Sequence, residues 1–310
     1  MSDLVVGVIG GSGLYEIEGI ENVEEITLQT PYGDPSDAYI RGTLDGVEVV
    51  FLARHGRGHR ISPSELNFRA NIWGFKKLGV RHLISVSAVG SLQEEIVPGH
   101  LVCVDQFIDR TTDRPRTFFE GGIVGHVQFA DPVSPELQAV LFEAATAQGA
   151  TVHNGGTYVC IEGPTFSTRA ESHLFRQWGA NVVGMTNVPE CRLAREAEIA
   201  YATLALATDY DCWYEGHDDV SVEAVIAIIK QNVATAKQVI RKAVVKLAEV
   251  GHETWPAHEA LGGGMAVMTS PDLIPAETRA RVDLLVGRYL WPEGPVNSDS
   301  EASSAGEEQS

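Results

Sequence analysis

Short apolar runs separated by amphipathic stretches dominate the hydrophobic pattern of the chain. Runs rich in valine and isoleucine, without strict alternation, are typical of strands buried on both faces of a sheet. We predict strands at residues 4–9, 47–53, 82–86, 101–104, 157–161, 181–183 and 200–208. Helical spacing predicts helices at 64–78, 135–149, 167–178, 189–198 and 222–250, the last clear helix of the chain. This alternation predicts an α/β fold with a mixed, largely parallel central sheet flanked by helices.

The composition is that of one globular domain with a large core. The chain has 310 residues, of which 44% are hydrophobic and 21% charged. No linker or internal repeat interrupts residues 1–291, and we predict a single domain there. Residues 292–310 are polar and acidic, with too few apolar side chains to offset the entropy of ordering, and we predict a disordered tail.

The charge balance excludes some partners and leaves others open. The formal net charge is −19, which disfavours general binding to nucleic acid or anionic lipid. Five acidic residues and no basic ones lie at 293–310, which leaves −14 for the rest. An anionic substrate would therefore require a local basic site.

We expect a cytoplasmic, metal-free protein. The first residues, MSDLVVGVIGG, carry an acid where a signal peptide has bases, and the long helical stretch at 222–249 is too polar to span a membrane. The cysteines stand at long spacings without a C-x-x-C motif, which favours small buried hydrophobes over metal or redox sites. They are Cys103, Cys160, Cys191 and Cys212.

Glycine-rich and basic segments follow several predicted strands, where ligands of α/β proteins gather. In GGSGL, residues 10–14, glycines let backbone N–H groups approach an anion and Ser12 adds a hydroxyl. The segment lacks the third glycine of a dinucleotide loop and the lysine of a Walker loop, so an anion site and a tight turn both stay open. Arg54 and His55 end an apolar strand, and this pair favours a phosphate site with a guanidinium fork and an added imidazole donor.

Two loops before helices carry side chains with two possible uses. Phe166, in EGPTFSTRAE, could fill the core or stack on a planar ligand. Met185, in GMTNVPE, could contact a ligand or fill a gap in the core. Glu190 has a structural explanation in the favourable charge of a first helical turn.

Two carboxylates close the predicted strand at 200–208. Asp209 and Asp211 are one residue apart, so strand spacing places both on one side. Carboxylates at the end of a buried strand are costly unless they are paired or functional, and no further oxygen ligands of a Ca²⁺ loop follow. We favour catalysis or ligand binding for this pair.

In order along the chain, GGSGL, ARHG, SAVGSL, EGPTFSTRAE, GMTNVPE and ATDYDCW resemble the motifs of the trimeric purine nucleoside phosphorylase family. The resemblance runs from about residue 5 to the helix near residue 222. It implies a pentosyltransferase in which inorganic phosphate attacks the anomeric carbon of a purine nucleoside and releases the base and a ribose 1-phosphate. It implies no cofactor and no metal, with phosphate as the co-substrate.

The resemblance also implies the roles of individual residues. Those that would hold phosphate are Ser12, Arg54, His55, Ser87, the backbone of Ala88, and Thr186. Those that would contact the nucleoside are Phe166 at the base, Met185 at the ribose, and Asp209, Tyr210 and Asp211. Asp209 would assist the leaving purine at N7, which requires a raised pKa, and Asp211 would hold the exocyclic amine or orient its neighbour.

Four further positions bear on specificity and assembly. Family members that act on 6-oxopurines carry Glu where Ser167 stands and Asn where Asp209 stands, so this pair implies adenine. Val222 and Val225 begin a helix implied to cover the 5' group, and an apolar lining suits a methylthio substituent. His126 matches a residue contributed across a subunit interface, which implies a homotrimer with shared sites.

The resemblance therefore implies phosphorolysis of an adenine nucleoside with a 5'-methylthio group, a reaction of purine and methionine salvage. A phosphorylase of 6-oxopurine nucleosides or of methylthioinosine is the first alternative. A dinucleotide-binding protein is the second, and the missing third glycine disfavours it. A non-catalytic scaffold is the third.

Overall fold

The computed structural model describes residues 4–11, 14, 17–215 and 222–292, with residues 222–226 described through their backbone alone. The predicted disordered tail lies outside these residues except for Pro292. No helix in the described ranges is long and apolar enough to cross a membrane.

Eleven strands of the described chain form one sheet. They are β1 (Val5–Gly10), β2 (Ile20–Ile26), β3 (Tyr39–Leu44), β4 (Val47–Ala53), β5 (His82–Ser91), β6 (Leu101–Val104), β7 (Gln106–Arg110), β8 (Val152–Asn154), β9 (Thr157–Ile161), β10 (Val182–Gly184) and β11 (Ala200–Tyr210). Their order is β2-β3-β4-β1-β5-β10-β9-β7, and β11 lies between β5 and β6, which in turn pairs with β8. Six of the ten strand pairs are parallel, so the predicted fold class is confirmed.

Helices cover both faces of the sheet. They are α1 (Phe68–Lys77), α2 (Pro135–Ala147), α3 (Arg169–Gln177), α4 (Asn187–Glu196), α5 (Val222–Val250) and α6 (Ala276–Leu290). Successive residues of β1 point to opposite faces, so Val8 joins the core beneath α2 and α5 while Ile9 joins the core beneath α1, α4 and α6. Both faces of the central strands are therefore buried, which explains their continuous apolar runs.

The predicted elements are confirmed where the chain is strongly apolar. The seven predicted strands and five predicted helices are present, although β5 continues to Ser91 and β11 to Tyr210. The prediction that the helix at 222–250 is the last is wrong, because α6 follows and buries Val282 and Leu285. The pattern also missed β2 and β7, which carry exposed polar residues, β8, which has three residues, and β3, in which buried and half-buried positions are mixed.

The cysteines behave largely as predicted. Cys103, Cys160 and Cys191 are buried, Cys212 is half-buried, and all four are free thiols. Burial raises the pKa of Cys103 and of Cys160 to about 12, which keeps both thiols protonated and unreactive.

Candidate active site

A cavity of about 430 Å³ lies where β4, β5, β10 and β11 end. The parallel strands β4, β5 and β11 bring their carboxyl ends to one edge of the sheet, which is the common ligand position in α/β folds, and β10 reaches the cavity while running antiparallel to β5. Ten residues predicted for the site line this cavity: Arg54, His55, Ser87, Ala88, Phe166, Ser167, Met185, Thr186, Asp209 and Asp211. Ser12 lies outside the described residues, as do the side chains of Val222 and Val225.

Arg54 forms the cationic corner of the cavity and is almost wholly buried. Its Nε donates to Oε2 of Glu190 at 2.8 Å, and its Nη2 donates to Oε1 at 3.0 Å. Its Nη1 donates to the carbonyl of Val86 at 2.8 Å. The sequence explained Glu190 by the favourable charge of a first helical turn. That explanation is incomplete, because this carboxylate is the counter-ion of Arg54.

His55 stands next to Arg54 as a neutral ring. Its Nδ1 lies 2.8 Å from the carbonyl oxygen of Ile61, and this contact identifies Nδ1 as the protonated nitrogen. Burial and the adjacent Arg54 guanidinium lower the pKa of His55 to about 4. In that state Nε2 is a hydrogen-bond acceptor, whereas the sequence interpretation made the ring an added donor.

Two hydroxyls complete this end of the cavity. The Oγ of Ser87 and the Oγ1 of Thr186 lie 3.2 Å apart. The hydroxyl of Tyr158 contacts Ser87 Oγ at 3.2 Å and accepts from the Thr186 backbone N–H at 3.4 Å. A Cβ at Gly184 would lie 2.0 Å from the Tyr158 hydroxyl, so only glycine fits at the end of β10. A cation, a neutral ring and two hydroxyls thus stand together at this end, and this is a donor set suited to an anion.

The opposite end of the cavity has a flat apolar surface and an open hydroxyl. Phe166 is 81% exposed, which excludes the core alternative for its ring. The Oγ of Ser167 is buried without a hydrogen-bond partner among the described residues. Phe166 and Ser167 belong to one loop, and this loop terminates at Thr168. The Thr168 side chain caps α3 and forms a capping box with Glu171.

Asp209 and Asp211 face the cavity from the end of β11. Asp209 is accessible from the cavity, yet the surrounding walls remove much of its water. Its pKa is raised, first by this burial and then by repulsion from Asp211, against a 2.7 Å hydrogen bond from Thr208. Asp211 is buried, and its Oδ2 has no hydrogen-bond partner among the described residues.

Tyr210 corrects the predicted set of substrate contacts. It is absent from the cavity wall, because successive side chains of a strand point to opposite faces. Its hydroxyl donates to the carbonyl of Glu94 at 3.0 Å, and its ring stacks on Tyr214. His126 also lies away from this cavity and is exposed, with its backbone N–H donating to the carbonyl of Ala266.

Sequence reasoning missed several residues that shape the cavity. Arg114 is buried and donates to the carbonyls of Met185 and Glu162, which joins the two loops around the cavity. Ile229, in α5, lines the cavity. The segment DRP, residues 113–115, offered Arg114 as a basic residue in a loop. Its hydrogen-bond partners are distant in the sequence, so no local pattern could predict them.

One cavity at the edge of the sheet thus combines a guanidinium and hydroxyls with two carboxyl groups. This combination is typical of an enzyme that acts on a small molecule together with an anionic co-substrate. The model of the phosphorylase superfamily matches residues 5–245. The chain is 61% identical to S-methyl-5'-thioadenosine phosphorylase of Geobacter sulfurreducens, over 92% of this chain and 99% of that protein. It is 56% identical to the enzyme of the same name from Synechocystis, over 94% and 90%.

Solved structures agree with these relatives. A methylthioadenosine phosphorylase from an antarctic soil metagenomic library has a TM-score of 0.87 and 48% identity, covering 92% of this chain and 99% of its own. A mutant adenosine/methylthioadenosine phosphorylase from Schistosoma mansoni, solved with methylthioadenosine, has a TM-score of 0.72 and 36% identity, covering 79% and 92%. The chain therefore belongs to the phosphorylase superfamily and, within it, to the S-methyl-5'-thioadenosine phosphorylase family.

The lowered pKa of His55 predicts how this ring responds to pH. Its folded-state pKa of about 4 lies below the ordinary value of 6.5, so the ring stays neutral until the solution is more acidic than about pH 5. Between those two values the unfolded chain binds the proton more readily, so His55 lowers stability as the pH falls. Imidazole ¹⁵N NMR should show no protonation of His55 at pH 6. The variant His55→Gln should lose less stability between pH 6.5 and 4. A His55 titration midpoint near 6.5 would contradict the assignment.

Proposed function

We propose that this protein catalyses phosphorolysis of S-methyl-5'-thioadenosine to adenine and 5-methylthioribose 1-phosphate. The observation that carries the proposal is one cavity whose wall holds the Arg54 guanidinium with two hydroxyls, a carboxyl group of raised pKa and an exposed aromatic ring. The relatives named above carry the name of this reaction. Phosphate and nucleoside would occupy the two ends of the same cavity.

Phosphate would bind at the Arg54 corner. The hydroxyls of Ser87 and Thr186 supply donors at 3.2 Å from each other, and Ala88 adds its backbone. The free Nε2 of neutral His55 would accept a hydrogen bond from a protonated phosphate oxygen. We propose Ser12 as a further ligand, although it lies outside the described residues.

The glycosidic bond would break through a cation-like sugar. Phosphate oxygens at C1' would stabilise the developing positive charge, as a carboxylate does in glycoside hydrolysis. Met185 lies in the cavity wall and would pack against the ribose. A Cβ at Gly163 would lie 2.5 Å from the Met185 sulfur, so this glycine leaves space for the methionine.

Asp209 would assist the departing adenine. Its raised pKa favours the protonated form, which can donate to purine N7 as the bond to the sugar breaks. Asp211 Oδ2 and Ser167 Oγ are without partners among the described residues and could bind the edge of the base. A carboxylate acceptor matches the 6-amino group of adenine, and the exposed ring of Phe166 would pack on the base.

The 5' group would lie beside α5. Ile229 lines the cavity from this helix and is 41% exposed. Val222 and Val225 stand seven and four residues earlier in the same helix, which are spacings that share one helical face. This stripe of apolar positions supports a methylthio substituent over a hydroxyl.

We also propose a homotrimer in which His126 serves a neighbouring subunit. The segments around Val124 and Met268 lie side by side, since the Met268 N–H donates to the Val124 carbonyl at 2.8 Å. Val124, Met265 and Met268 are exposed apolar side chains beside His126. An apolar surface of this kind is typical of a subunit interface.

The reaction is tested with one substrate panel. Methylthioadenosine, adenosine, inosine and methylthioinosine are incubated with the enzyme, with and without phosphate, and the free base is measured by chromatography. We expect phosphate-dependent release of adenine, fastest from methylthioadenosine. Faster turnover of inosine would establish the 6-oxopurine alternative, and base release without phosphate would replace phosphorolysis by hydrolysis.

The role of Asp209 is tested by Asp209→Asn. The asparagine amide can donate a hydrogen bond but cannot transfer a proton, so kcat for methylthioadenosine should fall by roughly 10²-fold or more while 6-oxopurines gain relative to adenine nucleosides. In the wild type, kcat should decrease as the pH rises through the raised pKa of Asp209, because the protonated form is lost. This alkaline decrease should be absent from the variant. The exposed Asp34→Asn is the matched control, and an unchanged substrate ratio in Asp209→Asn refutes the assignment.

The assembly is tested by sedimentation equilibrium. Three chains of 33.5 kDa should give a particle of about 100 kDa. His126→Ala should raise KM for methylthioadenosine and leave the mass unchanged, because the imidazole would reach the neighbouring site without holding the subunits together. A fully active monomer would overturn the shared-site proposal.

A further inference from the structure

We propose that Glu190 and Tyr201 are positioning residues that set the affinity for phosphate by fixing the orientation of Arg54. Neither side chain is in the cavity wall, and both are almost wholly buried behind it. The proposal rests on the proposed function, because it assigns phosphate to the Arg54 corner.

The guanidinium has little freedom of its own. Glu190 takes its Nε and Nη2 in a bidentate pair, Ser85 Oγ accepts from Nη2 at 2.7 Å, and the Val86 carbonyl accepts from Nη1. These bonds leave one Nη1 hydrogen without an acceptor among the described residues. The carboxylate therefore determines where the remaining donor of Arg54 points.

A second set of hydroxyls determines the position of the carboxylate. The Ser85 hydroxyl donates to Oε1 of Glu190 at 2.7 Å, and the Tyr201 hydroxyl donates to the same oxygen at 2.8 Å. The amide of Asn187 donates to the Tyr201 oxygen at 2.5 Å. Every bond in this set runs toward Glu190, as expected for a carboxylate that only accepts hydrogen bonds.

The position of this network favours a functional role over a purely structural one. A buried ion pair is costly, and apolar residues of similar volume often give equal or greater stability. The network joins β4, β5, α4 and β11, and these elements carry Ser87 and Asp209 and adjoin His55 and Thr186. Glu190 and Tyr201 thus connect the supports of the proposed phosphate ligands.

The ion pair between Arg54 and Glu190 also predicts which kinetic constant changes when this network is altered. Glu190 cancels the net charge of Arg54, so the corner offers phosphate a directed N–H donor more than a positive charge. Losing the direction should weaken phosphate binding and leave the nucleoside end of the cavity unchanged. A defect confined to phosphate distinguishes positioning from general destabilisation.

The test compares Tyr201→Phe with Tyr39→Phe. Tyr39 is an equally buried tyrosine whose hydroxyl donates to the carbonyl of Asn71 at 2.7 Å, so its loss costs stability without touching the network. Tyr201→Phe should raise KM for phosphate about tenfold, with kcat and KM for methylthioadenosine within about twofold. Tyr39→Phe should lower Tm and leave all three constants unchanged.

Glu190→Gln gives a stronger perturbation, because one amide nitrogen replaces an acceptor that faces several donors. It should raise KM for phosphate more than Tyr201→Phe does and reduce the rise in Tm that inorganic phosphate produces. If this variant does not fold, the Tyr201→Phe comparison still decides. Wild-type enzyme without phosphorolysis would refute the proposed function, whereas active wild type with an unchanged phosphate KM in Tyr201→Phe would refute the positioning role alone.

Discussion

The parallel pairing of β5 with β11 is the constraint on which the cavity depends. It extends from His82 and Ala200 at one end to Ser91 and Tyr210 at the other, with an irregularity between Ala207 and Asp209. The register on either side of this irregularity gives the hydroxyl of Ser87 and the carboxyl of Asp209 set positions along adjacent strands. This strand pair therefore holds one functional group at each end of the cavity, and the segments after β4 and β10 and before α3 supply the others.

Electrostatics at this strand edge differ from what the net charge of the chain indicates. A protein with a formal charge of −19 has a cationic corner whose single guanidinium is already paired with a carboxylate, beside a neutral imidazole. Orientation of donors, and not an excess of positive charge, would select a small anion here. At the other end, burial and Asp211 raise the pKa of Asp209, so its charged form is less favoured than that of an ordinary aspartate.

Much of the fold was predicted from the local hydrophobic pattern, and the elements that this pattern missed share one physical cause. Buried strands such as β4 and β6 read as continuous apolar runs, and their bounds agreed with prediction. The exposed strand β2 and the amphipathic α6 did not stand out, because their formation depends on packing against distant elements. At the site, ordered motifs identified most of the cavity wall. Tyr210 was misplaced because adjacent strand residues face opposite sides.

By itself the sequence determined the fold class, the family and the residue types that can perform the chemistry, since these depend on local periodicity and on ordered motifs. Only the tertiary structure decided the state and partner of each side chain. Glu190 and Arg54 are 136 residues apart, and no local pattern announces their pairing. The neutral His55 and the raised pKa of Asp209 come from burial and from neighbours brought together by folding, and both are properties of the assembled site.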